Sequence, residues 1–534
     1  MKRPRASFRV LYNHDCANVY NCTSPFHARG ADFEPTMLEE SLNEIQGTGV
    51  NACMLSPGFG WVPWWRSRAY PVRDHFRWLK DTYGLEPDTM GKYLLDGGDV
   101  MEVYMQWVWG KGVSPFVSLR LDDSTGLEFL KCNREMNAPI PQSFGHHLNR
   151  YWWKAPDTYR LDRDPDGLQP GDPRQWTDPA LRYQLRRRRA LNWAMSGVRW
   201  DKLSLIRELI ENFPIEGLEL DLVHTPPFFA EDGVDEHQRC KILADYIREI
   251  RKILNWGKGD TDRRWMSVRV PNYLAHYRPA GIDIVSMTFA GVDMVVLSGG
   301  MFCEQRNDLA EIRAMLPETS VYVELTPITE IRFDQFRRTT DNQLYTSAHL
   351  AYARGADGVS LSRFAYYREH VGGERAGPFR EPPFHVLRNM GDRNFVASQP
   401  QHYFVGGSAY GAGPRLPFRL EPGQSITFVM DMCPPTDGWQ VPGRLRLHSR
   451  DQFGIGNVIA RVNGRSLTGS EEVVDLYKNP HTQFISTIHN TRAWSVDPSI
   501  LKDGHNAVTF ISDLNNPVEI AFVDLAMPAS DESD

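Results

Sequence analysis

Leu218, Leu220 and Leu222 alternate with Glu219 and Asp221, and a period of two predicts a β-strand. Before it, Leu203, Ile206, Leu209, Ile210 and Phe213 recur at spacings of three and four, which predicts an amphipathic helix. After it, Ile242, Leu243, Tyr246, Ile247, Ile250 and Leu254 predict another. A strand between helices belongs to a parallel sheet covered on both faces. The same alternation runs along most of the chain. Strands are predicted at residues 8–13, 50–56, 113–121, 216–224, 264–270, 292–298, 320–325 and 355–362, with further helices near 37–45, 99–109 and 346–354. Eight strands interleaved with helices over about 380 residues predict a (β/α)8 barrel with long inserted loops.

The pattern changes after Asp392. Short alternating runs at 425–430, 443–447, 458–462 and 507–511 replace the strand–helix alternation, and Asn463-Gly464 is a hairpin turn signal. The expected division is therefore a barrel over residues 1–395 and a β-sandwich accessory domain over 396–534. A polar, aromatic, proline-containing insertion covers about 126–179, and loops of that length are usually functional.

Chemistry in such a barrel sits at the C-terminal ends of the strands. Strand three brings Arg120, Asp122 and Asp123 there, and strand four brings Glu219, Asp221 and His224. Strand five brings Arg269, Asn272 and Tyr273, strand seven Glu324, and strand eight Ser362 and Arg363. Two acids on one face of the fourth strand point into a barrel or a cleft, where carboxylates with split pKa values do acid, base and nucleophile work. Asp221 is the expected nucleophile or base, with Glu324 as its partner. Glu219, a layer deeper, is expected to hold Arg269 and to tune Asp221 by like charge. Arg120, Arg269 and His224 are candidate substrate contacts. Trp64 and Trp65, with Trp152 and Trp153 in the insertion, are candidate sugar-stacking faces. Asp122 and Asp123 are candidates for a helix cap, an ion site or a substrate clamp.

Composition narrows the partners. A net charge of −7 gives no reason to expect nucleic acid, and no run approaches the ~20 apolar residues of a membrane span. Seven scattered cysteines form no zinc spacing, so neither metal nor cofactor is expected. With no signal-peptide core near Met1, the chain reads as cytoplasmic. The fifteen Trp and twenty Tyr suit a carbohydrate substrate as well as a core. The oligomeric state is left open.

Residues 198–229, and the Gly-Asp runs at 281–284, 291–296 and 355–360, resemble bacterial glycoside hydrolase-like proteins of the family 10-like group. That resemblance covers about residues 8–390 and implies a TIM barrel and glycoside chemistry. Separately, residues 217–221 are similar to the fourth-strand motif of the alpha-amylase family, which implies a nucleophilic Asp221, although Glu219 stands where that family carries Arg. Families that pair strands four and seven imply a nucleophilic Glu324, although this chain lacks their Asn-Glu on strand four.

The expected function is hydrolysis of a glycosidic bond by two carboxylates. Two other readings follow from the same residues. One is a metal-assisted lyase, isomerase or hydrolase, using Glu219, Asp221 and Asp122 as oxygen ligands. The other is a non-catalytic carbohydrate-binding protein. Metal content separates the first two, and turnover of a glycan panel separates hydrolase from binder.

Overall fold

The computed structural model describes residues 5–16, 19, 31–123, 142–148, 159, 161, 190–224, 227–230, 232–259, 262–300, 302–332, 335–364, 383–406, 414–470 and 490–529. Eight parallel strands close into a barrel: β1 (Val10–His14), β2 (Ala52–Leu55), β3 (Ser114–Arg120), β4 (Gly217–Asp221), β5 (Trp265–Pro271), β6 (Met294–Ser298), β7 (Ser320–Leu325) and β8 (Gly358–Ser362). Each pairs with its neighbours in sequence, and β1 also pairs with β8. The predicted (β/α)8 barrel is the observed fold.

Helices follow the strands and cover the outside. The longest are Ser196–Asn212 and Glu236–Leu254, on either side of β4. Their apolar stripes are buried, including Leu205, Ile206, Leu209, Ile247 and Ile250. Asp235 caps the second, its side chain accepting from the Gln238 N–H. Among the described residues, five helices lie outside the expected set: Val72–Tyr83, Thr89–Leu95, Ile284–Ala290, Leu309–Met315 and Arg393–Ser398. So does a hairpin of Ile328–Arg332 with Gln335–Arg338 after β7.

The barrel interior is layered. Its lower layers are apolar: Leu11, Ala52, Met54, Phe116, Met294, Val296 and Tyr322 form one cluster, against which Phe8 and Trp265 pack. Phe8 therefore plugs the barrel below β1 and does not extend it, its ring edge-on to Phe116 at 5.5 Å. Gly217 makes room for the Phe116 ring, which a Cβ there would meet at 2.1 Å. One layer up, Ser118, Glu219 and Ser267 stand side by side in register. Above them Arg120, Asp221 and Arg269 do the same. Two residues along a strand return to the same face, so apolar floor, polar middle and charged mouth follow from one alternation.

Beyond the barrel, antiparallel strands β9 (Gln401–Val405), β10 (Phe418–Leu420), β11 (Ser425–Met432), β12 (Gly443–Ser449), β13 (Gly456–Val462), β14 (Thr491–Val496), β15 (Gly504–Leu514) and β16 (Val518–Met527) build two sheets. With two two-residue strands they are six- and four-stranded, and β9 is the edge of the larger. Phe428, Met430, Leu445, Leu447, Val458, Val508, Phe510 and Leu525 belong to one buried cluster fed by both sheets. Asn463 and Gly464 both have positive φ, at 50° and 82°, as the two central residues of a type I′ hairpin require. Position 396 falls within the helix Arg393–Ser398, and the sheets begin at Gln401.

Candidate active site at the barrel mouth

Arg269 organises the charged layer. Its Nε donates to Glu324 Oε2 at 2.6 Å and its Nη2 to Glu324 Oε1 at 2.7 Å. Its Nη1 donates to Asp221 Oδ2 at 2.9 Å. Ser298, at the end of β6, donates from Oγ to Glu324 Oε1 at 2.7 Å. The other Asp221 oxygen, Oδ1, accepts the backbone N–H groups of Val223 and His224 at 2.9 and 3.0 Å. The chain turns back on its own carboxylate just past the strand end, so Asp221 is fixed from both sides.

All three groups are buried. Burial pushes the Asp221 carboxyl upward, but Arg269, His224, Arg120 and the Val223 N–H outweigh it, and the net shift is downward. Arg269 is held firmly protonated: burial opposes its charge, and Asp221 and Glu324 more than offset that. Asp221 is thus held as an anion, while Glu324 accepts three donors.

Glu219 differs. Its Oε1 accepts from Asn13 Nδ2 at 3.1 Å and from Ser118 Oγ at 2.8 Å, and Ser267 Oγ lies 3.3 Å from Oε2. The expected direct bond to Arg269 is not formed. Arg269 stands one register step higher, level with Asp221, and its hydrogen bonds go to Asp221, Glu324, Ser298 and the Gly300 carbonyl. Neutral donors bond it, and burial pushes Glu219 up to about 7 against the downward pull of the Arg269 charge.

A second group lies beside the first. Arg120 Nη1 bonds Asp123 Oδ2 at 2.5 Å, and its guanidinium sits 5.1 Å from the centre of the Phe59 ring. His224 Nε2 is 3.7 Å from the same Asp123 oxygen. Burial, then the charge of Arg120, lowers His224 to about 3. A neutral imidazole suits hydrogen bonding. Arg363 lies near enough to bear on His224 electrostatically. Its φ of 61° is a left-handed backbone on a non-glycine residue just past β8, and such strain clusters at functional sites. Ser362 is buried and paired in register with Asn13.

Other expected site residues are taken up by the scaffold. Asp122 accepts from Trp61 Nε1, from its neighbour's N–H and from the Leu191 N–H, at 2.8–2.9 Å. It ties the loops after β2 and β3 together, which corrects its reading as a substrate clamp. Lys202 adds to the same tie, donating to the Gly60 carbonyl at 2.6 Å. Trp64 is fully buried and its Nε1 donates to His146 at 3.1 Å. It has no open ring face, so the structure corrects it from a stacking platform to core. Trp65 is nearly as buried, at 4% exposure. Trp152 and Trp153 lie outside the described residues. Asn272 donates to Glu304 Oε2 at 2.6 Å, and Tyr273 donates its hydroxyl to the Arg306 carbonyl. Both brace loops beside the Arg269 group.

Ser298 and Glu304 were missed by the sequence reading. Ser298 ends a barrel strand, and the end-of-strand rule applied to β6 would have found it. Glu304 lies in a loop with no local signal. Among the described residues, no group of three or more His, Cys, Asp or Glu is placed to hold a metal ion, and no helix is long and apolar enough to cross a membrane.

Among solved structures, the chain is similar to alpha-L-fucosidase isoenzyme 2 from Paenibacillus thiaminolyticus, at 12% identity and a TM-score of 0.41, over 72% of this chain and 48% of that one. It is similar to the catalytic domain of beta-amylase from Paenibacillus polymyxa at 11% and 0.40, over 73% and 100%. A glycoside hydrolase family 5 structure from Bacteroides vulgatus follows at 10% and 0.37, over 95% and 89%. The chain thus spans about half the length of the fucosidase. No family model and no curated protein matches it, and membership of family 10 is not shown. The barrel is read from its own strand pairing, and these likenesses add nothing to it about activity.

Proposed function

We propose that the protein is a carbohydrate-active hydrolase that cleaves a glycosidic bond at the mouth of the barrel. The observation that carries this reading is that Asp221 and Glu324, from strands four and seven, share one guanidinium at the C-terminal ends of the strands. Two hydrogen bonds across one guanidinium put the carboxyl groups roughly 5–8 Å apart. That span takes in the retaining separation and the lower end of the inverting range.

Asp221 is the nucleophile or base, since it is held ionised and reaches the mouth. Glu324 is the acid. It lies across Arg269 from Asp221, as a general acid opposite the nucleophile or base must. Arg120, Asp123, His224 and Arg363 form the wall that binds sugar hydroxyls. The resemblance of residues 217–221 to the fourth-strand motif of the alpha-amylase family also supports a nucleophilic Asp221.

The test is turnover by the full chain on a panel of aryl glycosides and soluble glycans, with reducing-end release as the readout. Product from any of them, lost in an Asp221→Asn variant, supports the reading. Folded protein that binds glycans without cleaving any would favour the binding-protein alternative.

A further inference from the structure

Gln305, on the loop after β6, is 7% exposed. Its Oε1 accepts from the Phe404 N–H at 2.9 Å, and its Nε2 donates to the His402 carbonyl at 3.0 Å. Those are backbone groups of β9, the edge strand of the six-stranded sheet. Edge strands carry unpaired backbone groups that must be covered. Here one amide side chain supplies both the missing donor and the missing acceptor, as a neighbouring strand would. Nearby, Gly406 approaches the Thr329 carbonyl so closely that a Cβ would lie 2.5 Å from it. Thr329 belongs to the hairpin that follows Glu324 by a few residues.

The other side of the same loop faces the charged group. Glu304, next to Gln305, accepts from Asn272 and packs against Gly299, where an added Cβ would sit 3.2 Å from the Glu304 carboxyl carbon. The Gly300 N–H donates to Ser298 Oγ at 2.9 Å, and the Gly300 carbonyl accepts from Arg269 Nη2 at 3.4 Å. One short loop therefore touches Arg269 at its start and the C-terminal sheet at its end.

We propose that Gln305 is a positioning residue: through it, the C-terminal sheet sets the loop that orients Arg269 between Asp221 and Glu324. Its consequence for rate rests on the glycosidase reading, whereas its consequence for loop order does not.

The test compares Gln305→Ala with Arg354→Ala in the full chain. Arg354 joins the same two parts elsewhere, donating from Nη2 to Asp431 and Asp503, both at 2.8 Å. Gln305→Ala should speed hydrogen exchange of the Asn272, Gly300 and Asp308 amides by about ten-fold or more. It should also lower kcat by about ten-fold, with KM changed less than about two-fold, because displaced reacting groups cost rate. Arg354→Ala should leave these amides and kcat near wild type. Equal exchange in the two variants, or a loosened loop with unchanged kcat, would overturn the proposal. Absence of any glycosidase turnover in the wild type would instead sink the functional reading, and the exchange comparison would still decide whether Gln305 holds the loop.

Discussion

Arg269 and Glu324 meet at two points, Nε to Oε2 and Nη2 to Oε1, while the remaining nitrogen of the guanidinium reaches Asp221. Only arginine has the planar fork for this arrangement. A lysine would keep the charge and lose the simultaneous hold on both acids.

Arg269→Met should leave two buried carboxylates without their cation. Breaking a buried pair from one side costs about 3–5 kcal/mol. Denaturant unfolding at pH 7 should show a loss of that order. The loss should shrink at low pH, because without Arg269 burial favours the protonated Asp221 carboxyl. A variant as stable as wild type at pH 7 would show that the clamp is not structurally important.

Glu219→Gln should change how stability depends on pH. The folded-state pKa of Glu219 is raised by burial from 4.5 to about 7. Its stabilising contribution is fully present below pH 4.5 and is lost as pH rises through 7. The amide, which never ionises, should be more stable than wild type at pH 8 relative to pH 5, by an amount on the order of 3 kcal/mol at most. Parallel pH–stability curves for the two proteins would contradict this.

Trp64→Ala should act on stability. A fully buried tryptophan bonded to His146 leaves a large cavity when truncated, typically costing about 3–5 kcal/mol. Thermal unfolding should report the loss. A normal melting temperature with a raised KM would restore Trp64 as a stacking face.

The barrel was legible because each strand is a short apolar or alternating run, such as Met294–Ser298 or Gly217–Asp221, and several are flanked by helix patterns. Strand ends were less so. The eighth strand was expected from Gly355, but Gly355 takes a φ of 99° to end the preceding helix, and pairing starts only at Gly358. Five short helices escaped because six to twelve residues give few repeats of an apolar stripe.

In the site, Asp221, Arg269 and Glu324 were legible from one rule about strand ends. Which acid Arg269 would hold was not, since that depends on how the strands are staggered around the barrel. Trp64 looked like a platform because a run of loop aromatics reads the same buried or open. Gln305 carried no signal: its partner Phe404 lies 99 positions away.

The proposed function turns on the Asp221 carboxylate as a reacting group. The most direct measurement is kcat of Asp221→Asn against wild type on whichever glycoside the panel identifies, with circular dichroism and glycan affinity taken on the same samples. The expected result is a fall in kcat of roughly three orders of magnitude or more, with fold and affinity retained. A folded Asp221→Asn protein with near wild-type kcat would contradict it.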